Sequence, residues 1–546
     1  MKNGFLKNDR RILAIVAIVF AVYAALFIYR SSFDVFGERY FSLFDDAMIS
    51  MTYAKNLANG HGLVWNPGGE RVEGFTNPLW VAFMAALHKL PVPPSKLCIL
   101  VQIFGALFLV ANLFFVRKIA LHVSRGNGVA ASAAVILTAA YYPLIFWSLM
   151  GMEVSLLTLL VSVYAAAALG CLKSGRFPWR LYVLMGAGTL VRLDMAVPLL
   201  AIGAYLALSK PKDRKKHILW SVLTLAVFLG GQTIARVLYY GDVFPNTYYL
   251  KMTGYPAYLR ILRGLVVFFR FAGRSNILLF LLPFAALAFS GGKHGRFIAW
   301  VFCAQAAYSI YVGGESWESW GGANRFVSIV MPLFFVLFAY ALTVMAEWTD
   351  GIIRERKNAQ AAWWRLPYRA ALPAALLVTV LSFNGHALGE FLLLKPPNQT
   401  DINRESVQRA MMIREFTKPE ATTALTLAGT IPYFAERRGI DVLGKCDSRI
   451  ARQEARIPKS LASINLFTPG HVKWDMDYTF GGEKPDVVTH VWGGGREEVA
   501  PYLDRFYYFL GIASGDDSET AYQFWFRAGS DAILWDMIPG APPVSP

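Results

Sequence analysis

Residues 12–29 form an unbroken apolar run, and runs of similar length recur down the chain with basic turns between them. A bilayer core about 30 Å thick needs about 20 apolar residues per helical crossing. Only 16% of the 546 residues are charged and 55% are hydrophobic, with mean hydropathy +0.40. Soluble domains carry about 25% charged residues. The chain therefore reads as a polytopic α-helical membrane protein with many spans, not as a globular enzyme behind one signal helix.

Loops rich in Lys and Arg stay on the cytoplasmic side. Lys2, Lys7, Arg10 and Arg11 precede the first run, which puts the N-terminus inside and residues 43–80 outside. No small-residue cleavage site follows Tyr29, so the first run is taken as an uncleaved span. Residues 78–90 are apolar but too short to cross. An interfacial placement keeps Arg117, Lys118 and Arg125 inside. Further spans are expected at 97–116, 129–149, up to 172, twice within 181–208 (as two crossings or a deep hairpin), and at 218–239, 277–289, 297–312, 326–346 and 370–388. Residues 257–272, with Arg260, Arg263 and Arg270, read as a basic amphipathic surface helix. The sum is eleven spans, with the C-terminus outside.

From residue 389 the composition turns mixed and polar, with strand-like runs such as TALTLAG and PDVVTHVW. This segment carries 17 Lys/Arg against 21 Asp/Glu, so the basic excess behind the formal net charge of +16 belongs to the membrane part. A basic excess there fits inside loops and anionic lipid rather than nucleic acid. Two domains are expected: 1–388, transmembrane, with a first outer loop at 30–96, and 389–546, a soluble α/β or α+β domain outside. Of the four cysteines, Cys98, Cys171 and Cys303 lie in apolar runs and Cys446 stands alone. No CxxC spacing, HExxH, GxSxG or Walker A loop occurs.

The topology gathers the chemically useful side chains on one side. The first outer loop supplies Asp45, Asp46, His61, Glu70, Arg71 and Glu73. The turn between the fifth and sixth spans supplies Arg192 and Asp194, after Glu153 in an earlier turn. Asp242, Asn246, Tyr248, Tyr249 and Lys251 follow the seventh span. Glu315, Trp317, Glu318, Trp320, Asn324 and Arg325 follow the ninth. Ionisable groups at the rim of a span bundle suggest function. Carboxylates supply a general base and hydroxyl acceptors; Arg and Lys supply contacts to a lipid phosphate. Each residue also has a plainer reading. Asp45 can be a helix N-cap with Asp46 complementing the dipole. His61 can be a turn residue, Glu70 and Arg71 a local pair, and Arg192 with Asp194 a structural pair. Lys251 can be a surface lysine, and Trp317 and Trp320 can be interfacial belt residues.

The stretch FDDAMISMTYAKNLANGHGLVWNPGGERVEGFTNPLW resembles the opening of bacterial GT-C glycosyltransferases, and most closely the mycobacterial terminal β-arabinofuranosyltransferase group. GMEVSL, VRLDMA, YYGDVFPNTYYLK and GGESWESWGGANRFVSIVMPL extend the likeness, as do AGTIPYFAERRGIDVLGKCDSRIAR and PGHVKWDMDYTFGGEKPDVV near the C-terminus. The resemblance implies a polyprenyl-phosphate sugar donor, decaprenyl-phosphoryl arabinose in the mycobacterial group, and an outer acidic pair of which one member is the general base. Asp45 and Asp46 match that pair. The implied reaction is inverting transfer of arabinofuranose or a related pentofuranose to an envelope glycan, a glycolipid or a surface protein. The implied place is the periplasmic face of the bacterial inner membrane. Partners are then the lipid-linked donor, the acceptor and membrane lipid. No cofactor and no metal are expected, although Asp45 and Asp46 have the chemistry to hold a divalent cation. A transporter or flippase of lipid-linked sugars is the competing class. One-sided clustering of charge and the large outer domain weigh against it.

Overall fold

The computed structural model describes residues 2–315, 318, 324–355, 362–458, 460–514 and 517–541. Trp317 and Trp320 lie outside the described residues. The chain divides into two compact units. The first comprises Met1–Arg30, Gln102–Gln232 and Arg260–Asn398. The second comprises Ser31–Val101, Thr233–Leu259 and Gln399–Pro546. The first outer loop falls in the same unit as the C-terminal segment.

Six helices among the described residues are long and apolar enough to cross a membrane: Asn8–Arg30, Pro94–Val123, Val154–Ser174, Pro211–Tyr240, Met331–Trp348 and Leu372–Phe391. Counting each sharply bent pair as one span raises this to eight, against the eleven expected. The shortfall has local causes. The 181–208 stretch breaks at Arg192, whose backbone is extended, into Trp179–Val191 and Ala196–Ser209. At about 1.5 Å per residue each piece is too short to span. The 129–149 stretch becomes Gly128–Ala139 and Tyr142–Leu149, bent by 51°. Asn384 satisfies the backbone groups freed at that break, accepting from the Tyr142 amide at 2.8 Å and donating to the Ala140 carbonyl at 2.8 Å. Pro78–Leu87 is a ten-residue apolar helix, about 15 Å long and too short to cross.

The first unit is a helical body with an aromatic core in which Phe280 stacks on Phe334 at 5.1 Å. Its Ala257–Arg274 helix corrects one expectation. Arg260 and Arg263 are buried rather than presented to lipid. Arg260 donates to the Tyr311 carbonyl at 2.7 Å, and Arg263 to the carbonyls of Gly313 and Glu315. Arg270 is exposed. The basic face at i, i+3 clamps a loop.

The second unit holds a short hairpin of β1 (Phe33–Val35) and β2 (Glu38–Tyr40), and a five-stranded mixed sheet. Its strands are β3 (Thr422–Leu425), β4 (Arg438–Asp441), β5 (Val487–Val488), β6 (Tyr507–Ser514) and β7 (Asp517–Arg527), in the order β4-β3-β5-β7-β6. β3 runs parallel to β4 and β5, whereas β7 is antiparallel to β5 and β6. The edge strand β4 is capped by the first outer loop. Asn66 exchanges two hydrogen bonds with the Gly439 backbone, at 2.9 and 3.0 Å, as a neighbouring strand would. Trp65 lies against Gly439 and donates to the Ala428 carbonyl at 3.0 Å.

Candidate active site

In sheets of this kind, functional loops lie beyond the carboxyl ends of parallel strands. Here the loop after β3 presents Gly429 and Thr430, and the loop after β4 presents Lys445. The Asp45–Ala58 helix starts against both. Its N-cap is Phe44, so Asp45 is not the cap and its carboxylate is free for another partner. Asp45 Oδ1 accepts from the Gly429 and Thr430 amides, each at 3.1 Å. Both bonds go to one oxygen, which leaves Oδ2 without a protein partner among the described residues. The approach requires glycine at 429, because a Cβ there would strike the Asp45 backbone carbonyl. Burial pushes the Asp45 carboxyl up to about 6, against the pull of Lys445 and the two amides.

Lys445 donates to Asp46 Oδ1 in a nearly buried ion pair. Burial works against its ammonium, yet Asp46 and Asp45 together hold its pKa above the ordinary lysine value. The turn that carries it is built by Asp441, which accepts from the amides of Leu443 (3.0 Å), Gly444 (3.2 Å) and Cys446 (2.7 Å). Gly444 sits at φ 78°, where a side chain is strained. Asn246 grips the same turn through its amide, donating to the carbonyls of Gly444, Lys445 and Asp447 at 2.9–3.1 Å. The Asn246 backbone amide in turn bonds the Glu73 carbonyl at 3.1 Å. The Glu73 carboxylate is buried against Arg236, which also donates to the Val243 carbonyl at 3.2 Å. Burial raises the Glu73 pKa even with Arg236 beside it.

The remaining candidates of this unit divide by environment. His61 is exposed in the turn that follows the helix. Glu70 and Arg71 do not pair with each other: Glu70 accepts from the Ser448 hydroxyl at 2.6 Å, and Arg71 lies exposed over the Tyr239 ring at 4.7 Å. Tyr249 is covered by Arg452 at 4.1 Å, and one Arg452 guanidinium nitrogen donates to both Asp242 oxygens, at 2.7 and 2.8 Å. Lys251 ends a short helix, with its methylenes 3.0–3.6 Å from where a Cβ on Gly470 would stand.

The other candidates belong to the first unit. Arg192 is shared by Glu153 at 2.7 Å and Asp194 at 2.8 Å. Arg325 pairs with Glu315 at 2.5 Å, and Asn324 caps the helix that starts at Arg325. Glu318 pairs with Arg263 at 3.2 Å, and burial pushes its carboxyl up to about 7. Arg192 and Arg325 are thus committed to protein carboxylates. Replacing Arg192 with Met strands two buried acids. The expected cost is about 3–5 kcal/mol, read as a lower midpoint for thermal unfolding of the detergent-purified chain.

Residues 399–525 match a family model described as a domain of unknown function, DUF8728. No curated protein matches the chain. ArnT from Cupriavidus metallidurans, solved bound to undecaprenyl phosphate, aligns over 94% of this chain and 98% of its own, with a TM-score of 0.56 at 14% identity. The chain shares the fold of this structure. The Archaeoglobus fulgidus oligosaccharyltransferase, solved with zinc and sulfate, aligns over 91% of this chain and 71% of its own, with a TM-score of 0.53 at 14% identity. The oligosaccharyltransferase AglB of the same archaeon, in complex with an inhibitory peptide and a dolichol-phosphate, gives 96%, 75%, 0.52 and 14%.

Sequence reasoning missed Lys445, Asp441 and Arg236. Lys445 is 399 positions from Asp46, and only its place inside the GKCDSR motif marked it. Arg236 had a clearer signal, being an arginine inside an apolar run.

Proposed function

We propose that the chain is an inverting glycosyltransferase that moves arabinofuranose or a related pentofuranose from a polyprenyl-phosphate donor. The acceptor is an envelope glycan, a glycolipid or a surface protein at the periplasmic face of the bacterial inner membrane. The observation that carries this reading is Asp45, an acid fixed by two amides through one oxygen and left open at the other. Its pKa near 6 suits a general base at neutral pH. ArnT bound to undecaprenyl phosphate and AglB bound to a dolichol-phosphate support the donor class. The opening motif supports the sugar.

In this reading Asp45 Oδ2 takes the proton from an acceptor hydroxyl. The hydroxyl oxygen attacks the anomeric carbon from the side opposite the phosphate. The bond from carbon to phosphate oxygen breaks, and its electron pair leaves with the lipid phosphate. Arg71, exposed and unpaired with any acid among the described residues, meets that phosphate. Two adjacent carboxylates on one helix turn cannot flank a sugar as a glycosidase pair does, so a single displacement follows.

The test is the purified chain in nanodiscs with decaprenyl-phosphoryl arabinofuranose and envelope glycan. Release of lipid phosphate together with an inverted glycosidic product is expected. The rate should rise with pH through about 6 as Asp45 ionises. Absence of both products, with unchanged glycan termini by mass spectrometry in a deletion strain, would overturn the reading.

A further inference from the structure

The acid pair carries its own cation. Lys445 Nζ sits on Asp46 Oδ1, and the charges of Asp45 and Asp441 also act on it. The ammonium is thus paired with Asp46 and lies within the field of two further carboxylates, and the lysine side chain is only 13% exposed. Burying a lysine this deeply is costly unless carboxylates offset the desolvation, and the turn is built to impose it. Asp441 spends both oxygens on the turn's amides, so it aims Lys445 rather than binding anything else. Asn246 fixes the other side of the turn through three carbonyls. Gly74 lets the first outer loop lie directly on it, since a Cβ there would stand 2.7 Å from Cys446 Sγ and 3.0 Å from the Lys445 carbonyl. A divalent ion bridging Asp45 and Asp46 would have to share space with this ammonium and be repelled by it.

We propose that Lys445 is the resident cation of the site, taking the place at which a divalent metal would otherwise join Asp45 and Asp46. Lys445 is then a positioning residue. It keeps Asp46 ionised and still, and its charge favours the ionised, proton-accepting form of Asp45. The groups that set the charge of Asp45 are Lys445, Asp46 and the amides of Gly429 and Thr430, with Asp441, Cys446 and Tyr53 behind them. This inference rests on the glycosyl-transfer reading for its kinetic consequences, but its cation-binding consequence stands without it.

The experiment uses the full chain in nanodiscs, treated with EDTA and then titrated with Mn²⁺ under electron paramagnetic resonance. Wild type should transfer sugar at an unchanged rate after chelation and bind no Mn²⁺ at the site. Lys445→Arg should keep most of the rate. Lys445→Ala should lose about 100-fold in metal-free buffer, the scale of a disturbed general base. Its rate should also turn on at higher pH than wild type, because Asp45 loses the cation that favours its ionisation. The same variant should gain a Mn²⁺ site, and added Mn²⁺ should recover at least about tenfold of the loss. A purely structural lysine would produce neither the Mn²⁺ signal nor the pH shift. Inactivation of wild type by EDTA, or Mn²⁺ binding equal in wild type and Lys445→Ala, overturns the inference. If Lys445→Ala does not fold, chelation of wild type and Lys445→Ser under the same titration decide it. If wild type transfers no sugar at all, the glycosyl-transfer reading fails, and the Mn²⁺ titration still reports on Lys445.

Discussion

Asp45→Asn is expected to lower sugar transfer by about 10²–10⁴-fold, the range that a positioned general base contributes. The substitution separates chemistry from structure well. An asparagine keeps an oxygen where Oδ1 accepts from Gly429 and Thr430, so the start of the Asp45–Ala58 helix stays pinned. What it removes is the capacity to take a proton. The buried carboxylate is already pushed up to about 6, so neutralising it relieves an unfavourable charge rather than creating one. The variant should therefore melt close to wild type while its rate collapses, and the residual rate should lose its rise through pH 6. Asp46→Asn should behave differently. It strands the Lys445 ammonium beside a neutral amide, so lost activity should come with lost stability. Steady-state rates across pH, taken with thermal melts of the same samples, check both. Full transfer by Asp45→Asn would remove Asp45 from the reaction.

Much of this was legible in the sequence because two of its signals are local. Apolar runs of span length are read residue by residue, and six of them became membrane-length helices. The acid pair stood out because adjacent aspartates beside a span need a reason. The signals that failed are those that depend on partners. The stretch around Arg192 looked like two spans or a deep hairpin by charge parity alone. The structure shows an extended break at Arg192, held by Glu153 and Asp194. Arg260 and Arg263 looked like lipid-facing charges because their periodicity is amphipathic. Their partners are loop carbonyls, which leave no mark in a hydropathy pattern. The pairing of the first outer loop with the C-terminal sheet was hidden for the same reason. Asn66 completes the edge of β4 from 373 positions away, and no local pattern announces that a loop will stand in for a strand.

The second large effect is expected far from any reacting atom. Arg236→Met should cost about 3–5 kcal/mol, because it leaves the Glu73 carboxylate buried and unpaired. The chain of contacts then carries the damage to the site. Arg236 holds Glu73 and the Val243 carbonyl, the Glu73 backbone holds Asn246, and Asn246 holds the turn that aims Lys445 at Asp46. Loss of the first link should therefore lower activity as well as the melting temperature. Glu73→Gln in the Arg236→Met background removes the stranded charge and should restore part of the stability, because deleting a buried pair is gentler than breaking it. Activity should return less fully, since a glutamine and a methionine cannot rebuild the bond from Arg236 to Val243. A double-mutant cycle on thermal or denaturant unfolding measures the coupling. A coupling energy near zero would mean that the Glu73–Arg236 pair does not organise the site, and the route from Arg236 to Lys445 would have to be abandoned.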